Sequence, residues 1–116
     1  MLPLPRQYGP PARILLMFAA LAIGGISSEG RAESTTHTVV IEAMQFTPQV
    51  LEVKQGDTVI WVNKDAFPHN ATAINGSFRS GDIAPDGSWK FRADKKGGFP
   101  YRCTLHPTMK GSLLVK

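Results

Sequence analysis

The run TVIWVN at residues 58–63 decides the fold, because it is almost entirely apolar and rich in β-branched side chains. Such a run is typical of a strand at the centre of a sheet. The turn signal Gln55-Gly56-Asp57 directly precedes it, and a second strand-like stretch at residues 50–54 precedes that turn. This part of the chain therefore predicts short strands joined by tight turns.

The same pattern extends outward from this run in both directions. Asn75-Gly76 is the dipeptide most typical of a hairpin, Pro85-Asp86-Gly87 predicts another turn, and Gly97-Gly98 breaks the chain before a further strand. No stretch after residue 32 has the pattern of an amphipathic helix. The sequence predicts an all-β fold, an antiparallel sandwich or barrel of about eight short strands. These predicted strands occupy residues 38–42, 50–54, 58–63, 71–74, 77–80, 88–93, 99–103 and 112–115.

Side-chain alternation predicts that the only cysteine of the chain points into the core. Successive side chains of a strand lie on opposite faces, so Phe99, Tyr101 and Cys103 share one face and Pro100 and Arg102 the other. The guanidinium of Arg102 must face water. The thiol of Cys103 is therefore expected to face inward.

The first 32 residues have the layout of a secretory signal peptide. Arg6 and Arg13 precede an uncharged apolar stretch at residues 14–26, and Gly30 and Ala32 are small residues at the positions that a signal peptidase reads. A membrane anchor is the alternative, but this stretch is shorter than the roughly 20 residues that a span needs. We predict a signal peptide at residues 1–32, export to the periplasm, and a mature domain at residues 33–116 without a membrane span.

Composition and charge limit the possible partners and stabilising devices of that domain. The chain of 116 residues has 13 basic and 9 acidic side chains and a net charge of +4, part of which belongs to the signal peptide. The mature domain has no run of Lys and Arg, which argues against nucleic acid as a partner. One cysteine excludes an internal disulfide, so a bound metal is the remaining common stabiliser of a small exported domain. We expect a monomer.

The chemistry of the chain is concentrated in residues 103–109. Cys103, His106 and Met109 stand three residues apart, and Pro107 prevents a regular helix, so a tight loop can turn their side chains toward one point. His69 supplies a second imidazole directly before a predicted strand. A thiolate, two imidazoles and a thioether match the trigonal His₂Cys site with a weak axial Met that characterises blue copper proteins.

Each of these residues has a more ordinary interpretation when it is taken alone. A buried cysteine is usually a small hydrophobic residue, and a lone methionine usually belongs to the core. Cys103 and His106 could form a nucleophile and base, but the sequence shows no third residue to orient them and leaves Met109 without a role. The remaining histidine, His37, lies at the start of the first predicted strand and is expected to be exposed and without a metal role.

Two motifs resemble the cupredoxins, and in particular the small amicyanin and plastocyanin-like group. They are Pro68-His69-Asn70 and the Cys103-x-x-His106-x-x-Met109 run followed by Lys110-Gly111. The resemblance implies a Greek-key β-sandwich with one type 1 copper ion at one end, and the implied copper ligands are His69, Cys103, His106 and Met109.

The resemblance also implies roles for the neighbours of these ligands. The Asn70 side chain would bond Thr104, and the Asn70 backbone N–H would point at the sulfur of Cys103. Leu105 stands where amicyanins usually have proline, so we expect a second N–H bond to that sulfur. Electrons are expected to enter through the exposed edge of His106. The candidates for an apolar patch around this edge are Met44, Phe67, Pro68, Pro85 and Pro107.

The function that the resemblance implies is that of a periplasmic one-electron carrier between redox proteins. Such a carrier could take electrons from a dehydrogenase and pass them to a c-type cytochrome. It is not an enzyme, because four protein ligands leave no open coordination position for a substrate. The alternative is a periplasmic protein that binds and delivers copper in copper homeostasis.

Overall fold

The computed structural model describes residues 2–4 and 33–116. Residues 33–116 contain eight strands and no helix, and among the described residues no helix is long and apolar enough to cross a membrane. The predicted signal peptide lies almost wholly outside the described residues and stays a prediction. The strands are β1 Thr36–Glu42, β2 Gln45–Thr47, β3 Val50–Val53, β4 Thr58–Asn63, β5 Thr72–Ala73, β6 Ser88–Arg92, β7 Gly97–Arg102 and β8 Lys110–Val115.

The strands form two four-stranded sheets with the orders β2-β1-β4-β6 and β3-β8-β7-β5. The chain crosses from one sheet to the other at most of its connections, and side chains from both sheets share one buried core. The predicted all-β sandwich is therefore confirmed. The expectation of a purely antiparallel arrangement is wrong, because β1 pairs with β4 and β3 pairs with β8 in parallel. Turn signals show where the chain reverses, but they do not show which distant strands become neighbours.

Three local predictions also differ from the structure. The short edge strand β2 was not predicted. Residues 77–80 are not a strand, although the turn at Asn75-Gly76 forms, because only the single bridge from Thr72 to Arg79 pairs them with β5. Gly97 and Gly98 do not break the chain but begin β7, opposite Val115 and Leu114 of β8.

Aromatic rings fill the centre of the core. Trp61 of β4 is fully buried, and its ring lies 5.6 Å from Phe78 and 5.5 Å from both Trp89 and Tyr101. Tyr101 also meets the ring of Phe46 at 4.8 Å. Contacts of this kind add to the free energy gained from burying large apolar surfaces. The predicted alternation along β7 is confirmed, since Phe99, Tyr101 and Cys103 are buried while Pro100 and Arg102 are exposed.

The topology brings two long loops and one tight turn to the same end of the sandwich. Because β1 and β4 are parallel, the turn at residues 43–44 and the loop at residues 64–71 follow strand ends that lie on the same side of the sheet's strands, at their C-terminal ends. The loop at residues 103–109 joins β7 to β8, and hydrogen bonds from Asn70 connect it to the loop at residues 64–71. The predicted ligands all lie in these two loops.

Candidate metal centre

Three potential metal ligands converge between the two loops. His69, Cys103 and His106 have ligand atoms within 4.8 Å of one another. The sulfur of Cys103 lies 3.8 Å from Nδ1 of His69 and 3.9 Å from Nδ1 of His106. A metal with bonds of about 2.3 Å to sulfur and about 2.0 Å to nitrogen, at an angle of about 120°, separates those atoms by about 3.7 Å. The spacing therefore fits one ion bound by all three side chains.

Cys103 reaches this position because β7 ends at the preceding residue. Its side chain is fully buried, and its backbone N–H donates to the carbonyl of Met109 over 3.1 Å. The N–H of Met109 donates in turn to the carbonyl of His106 over 2.9 Å. These two hydrogen bonds close residues 103–109 into a tight loop, as the sequence predicts from Pro107.

Met109 is buried and lies at the end of this loop, next to the start of β8. Its backbone fixes the loop through bonds to both Cys103 and His106. Its role as an axial ligand stays a prediction from the sequence.

His69 is held rigidly from two sides. Its backbone pairs with Ile83 through two hydrogen bonds, of 3.2 Å from the His69 N–H and 2.7 Å from the Ile83 N–H. Its imidazole is fully buried, and Nε2 lies 2.8 Å from a carboxylate oxygen of Asp65. An ionised carboxylate only accepts hydrogen bonds, so Nε2 carries the proton. The lone pair of Nδ1 is then left to face the sulfur of Cys103.

Asp65 is a part of the site that sequence reasoning missed. Burial raises the pKa of its carboxyl group, but hydrogen bonds from the Met44 N–H, from His69 and from the Ala43 N–H together hold this pKa below its usual value. The carboxylate is therefore ionised at neutral pH. Histidines that bind metals commonly give their second N–H to such a group, which fixes the ring and its tautomer.

Asn70 joins the two loops, as the family resemblance implies. Its side-chain NH₂ donates to the Thr104 hydroxyl over 2.8 Å, and its side-chain oxygen accepts the Thr104 N–H over 3.0 Å. Its backbone N–H points at the sulfur of Cys103 over 3.4 Å. A hydrogen bond to a thiolate sulfur withdraws charge from it and so tunes a bound metal.

Asn63, at the end of β4, is a second residue that sequence reasoning missed. It is fully buried, and its NH₂ group donates to the carbonyls of Phe67 and Ile83 over 2.7 and 2.9 Å. Its side-chain oxygen accepts the Asp65 N–H over 3.0 Å. A buried polar side chain must be hydrogen-bonded to avoid a large desolvation cost. Asn63 therefore fixes the path of the loop that carries His69.

The second histidine lies closer to solvent than the first. The ring of His106 is partly buried and meets the ring of His69 at 5.0 Å. Two large apolar side chains that are close to the predicted ligands in sequence are exposed, Phe67 by 63% and Leu105 by 49%. Met44, in the turn at residues 43–44, is exposed by 40%.

Two expectations about individual residues are wrong. Among residues 33–116 the hydrogen bonds to the Cys103 sulfur include one from the Asn70 N–H and none from the Leu105 N–H. His37 is not freely exposed, because Nε2 lies 2.9 Å from a carboxylate oxygen of Asp57. That carboxylate also accepts the N–H groups of Thr35 and Lys54. His37 is not part of the converging group.

Comparison with known proteins decides the family. The family model described as the cupredoxin-like domain matches residues 13–115. The chain belongs to the cupredoxin-like family. This cupredoxin is 32% identical over 83 residues to the amicyanin of Paracoccus versutus, and the match covers 67% of this chain and 63% of that protein. It is 30% identical over 103 residues to amicyanin-alpha of Methylorubrum extorquens, with 84% of this chain and 87% of that protein covered.

Solved structures agree with this assignment. A mutant amicyanin with Cu(I) is 29% identical to this cupredoxin and superimposes with a TM-score of 0.66, which covers 70% of this chain and 82% of the other. A copper-containing nitrite reductase from Thermus scotoductus is 30% identical, with a TM-score of 0.66 and 70% of this chain covered. The match spans only 22% of that enzyme, so this chain corresponds to a small part of it.

Proposed function

We propose that this cupredoxin binds one type 1 copper ion through His69, Cys103, His106 and Met109 and carries single electrons between redox proteins. The observation that supports the proposal most strongly is the convergence of one thiol sulfur and two imidazole nitrogens at 3.8 and 3.9 Å. Soft sulfur and imidazole donors suit copper. When bound, copper supplies a centre that takes up and releases one electron.

The contribution of the chain is to hold its donor atoms in place. Two backbone bonds to Ile83 and the bond to Asp65 fix His69, and the internal bonds of the 103–109 loop fix Cys103. The Asn70 side chain keeps the two loops together. Because these bonds do not depend on the oxidation state, little rearrangement accompanies electron transfer. Small rearrangement is the property that a fast electron carrier needs.

The partly exposed ring of His106 is the proposed route for electrons, and exposed apolar side chains are the proposed docking surface. These side chains include Phe67, Met44 and Leu105. A small apolar contact permits brief binding and rapid release, as weak redox complexes require. A carrier without an open coordination position needs no substrate pocket at this end.

The relatives support a place in periplasmic electron transfer. Amicyanins and plastocyanins are electron carriers rather than enzymes, which favours the same role here. A methylamine utilization protein of Methylophilus methylotrophus is 26% identical over 114 residues. We propose export to the periplasm, a dehydrogenase as the electron donor and a c-type cytochrome as the acceptor.

Voltammetry of the copper-loaded protein tests this function. We expect a reversible one-electron wave for the wild type and for His37→Gln, which changes a histidine outside the site. Cys103→Ser should remove the wave. An irreversible wave, or a wave that survives in Cys103→Ser, would contradict the proposal.

Competition with a Cu(I) chelator separates a carrier from a copper-delivery protein. A delivery protein must release its cargo readily, whereas a carrier with a buried thiolate and His69 retains it. We therefore expect slow loss of Cu(I) from the wild type. Rapid transfer of all Cu(I) to the chelator, together with a poorly reversible wave, would favour delivery.

A further inference from the structure

The turn between β1 and β2 has an unusual backbone for its sequence. Ala43 and Met44 are its two central residues, with φ angles of +51° and +60°. Two-residue hairpins with positive φ at both positions normally contain Asn-Gly, because side chains with a Cβ disfavour this region. Something outside the turn must therefore stabilise it.

The carboxylate of Asp65 supplies that stabilisation. One of its oxygens accepts the Ala43 N–H over 2.7 Å, and the other accepts the Met44 N–H over 3.0 Å. Successive backbone N–H groups in a left-handed turn form a concave site that favours an anion. Asp65 is 22 residues away from Ala43 in sequence, and the parallel pairing of β1 with β4 brings them together.

The same carboxylate also contacts the buried metal-site histidine. The oxygen that accepts the Met44 N–H lies 2.8 Å from Nε2 of His69. The Asp65 side chain is only 13% exposed, and its backbone N–H is held by Asn63. One rigid carboxylate therefore receives three donors from two separate parts of the chain.

We propose that Asp65 is a positioning residue that joins His69 to the 43–44 turn. Its carboxylate fixes the His69 ring as the tautomer protonated at Nε2, and it compensates the strained backbone at Ala43 and Met44. The effect on copper rests on the proposed function. The effects on the tautomer and on the turn belong to the metal-free protein and do not depend on copper.

The first experiment compares Asp65→Asn with Asp94→Asn in the metal-free protein. Asp94 is a matched control, because its carboxylate is 69% exposed in a surface pair with Arg92. We expect Asp65→Asn to lower the urea midpoint and Asp94→Asn to leave it unchanged. Nitrogen NMR should show His69 protonated at Nε2 in the wild type and partly at Nδ1 in Asp65→Asn, because an amide can also donate to Nε2.

The second experiment separates the two effects by repairing the turn. In the double variant Ala43→Asn, Met44→Gly the turn has its preferred residues and no longer needs an anion. In that background Asp65→Asn should lower the urea midpoint by much less than it does in the wild type. The change of the His69 tautomer should remain. This background also supplies a folded protein if Asp65→Asn alone does not fold.

The copper-loaded variants provide a third measurement. Loss of a carboxylate behind a metal-bound histidine weakens metal affinity about 10–100-fold. In both turn backgrounds we expect Asp65→Asn to weaken Cu(II) binding by this factor. We also expect the reduction potential to rise, because His69 becomes a less electron-rich ligand. Asp65→Glu keeps the charge and should restore most of the affinity.

The outcomes distinguish this proposal from the proposed function. If Asp65→Asn lowers the urea midpoint equally in both backgrounds, the claim that Asp65 stabilises the 43–44 turn is overturned. An unchanged His69 tautomer together with unchanged Cu(II) affinity would overturn the effect on the ring. If the protein binds no copper at all, the proposed function fails, while the tautomer and urea measurements still decide the role of Asp65.

Discussion

At the scale of single residues, Cys103 and Asp65 show what sequence can and cannot predict about a site. Cys103, His69 and His106 could be found because their side chains are chemically distinctive and their spacing fits a loop. The contact of Asp65 with the 43–44 turn could not, because Ala43 and Met44 approach Asp65 only through strand pairing. A signal was nevertheless present, since an acid four residues before His69 is within reach of its ring when the chain turns.

Asn70→Ala should destabilise the metal-free protein by about 2 kcal/mol, because it removes several partly buried hydrogen bonds of the Asn70 side chain. The Asn70 side chain makes two bonds to Thr104 and accepts the Thr72 hydroxyl over 2.9 Å. Thr104→Val removes only one of these bonds and should cost about 1 kcal/mol. Urea unfolding of both variants checks this. A loss in Asn70→Ala no larger than that in Thr104→Val would contradict it.

The lowered pKa of Asp57 predicts that the protein loses stability in acid. The N–H of Thr35, the side chain of His37 and the N–H of Lys54 lower the pKa of the Asp57 carboxyl group from 3.8 to about 2. A carboxyl group with a lowered pKa in the folded state stabilises the protein above its unfolded pKa. That contribution is lost as the pH falls from about 4 to about 2.

Urea unfolding between pH 5 and pH 2 compares the wild type with Asp57→Asn. The gap in stability between the two proteins should be largest at pH 5 and should narrow toward pH 2. Acid effects of other carboxyl groups are common to both proteins and cancel in this difference. A gap that stays constant across the range would contradict the role of Asp57.

At the scale of elements, β7 and β8 contain the most restrictive contact for a glycine within residues 33–116. A Cβ at Gly111 would overlap the ring of the buried Tyr101, which faces it across the two strands. Gly98 is a matched control on the partner strand, because a Cβ there would meet only Leu114 at the ordinary distance of 3.6 Å. The two glycines therefore have different structural roles in the same strand pair.

Gly111→Ala should destabilise the protein by about 1–3 kcal/mol, because the core must shift to admit the methyl group. Gly98→Ala should change stability by no more than about 0.5 kcal/mol. Thermal unfolding of the two metal-free variants makes the comparison. Equal effects of the two substitutions would show that the Tyr101 contact does not control this position.

The predictions for individual strands succeeded where the residues of one strand alone determine its bounds or its buried face. The run at β4 has the bounds that the sequence predicts, and alternation along β7 correctly places Phe99 and Tyr101 inside. The short strand β2 was missed because its three residues hold only one buried side chain. The second arm of the predicted hairpin is not a strand, because its pairing with β5 is limited to the single bridge from Thr72 to Arg79.

At the scale of the whole molecule, the site joins the two sheets. His69 follows β4 of the first sheet, and Cys103 follows β7 of the second. Sequence reasoning reached the all-β sandwich and the three converging residues, but not the two parallel pairings that decide which ends of the strands meet. Those pairings depend on contacts between distant strands, which turn signals do not specify.

The central claim is that these two loops form a type 1 copper site around Cys103, and visible absorption of the purified protein with one equivalent of Cu(II) tests it most directly. The account predicts an intense thiolate-to-copper band in the wild type and in His37→Gln, and no such band in Cys103→Ser. A colourless Cu(II) complex of the wild type, or a band that survives in Cys103→Ser, would contradict it.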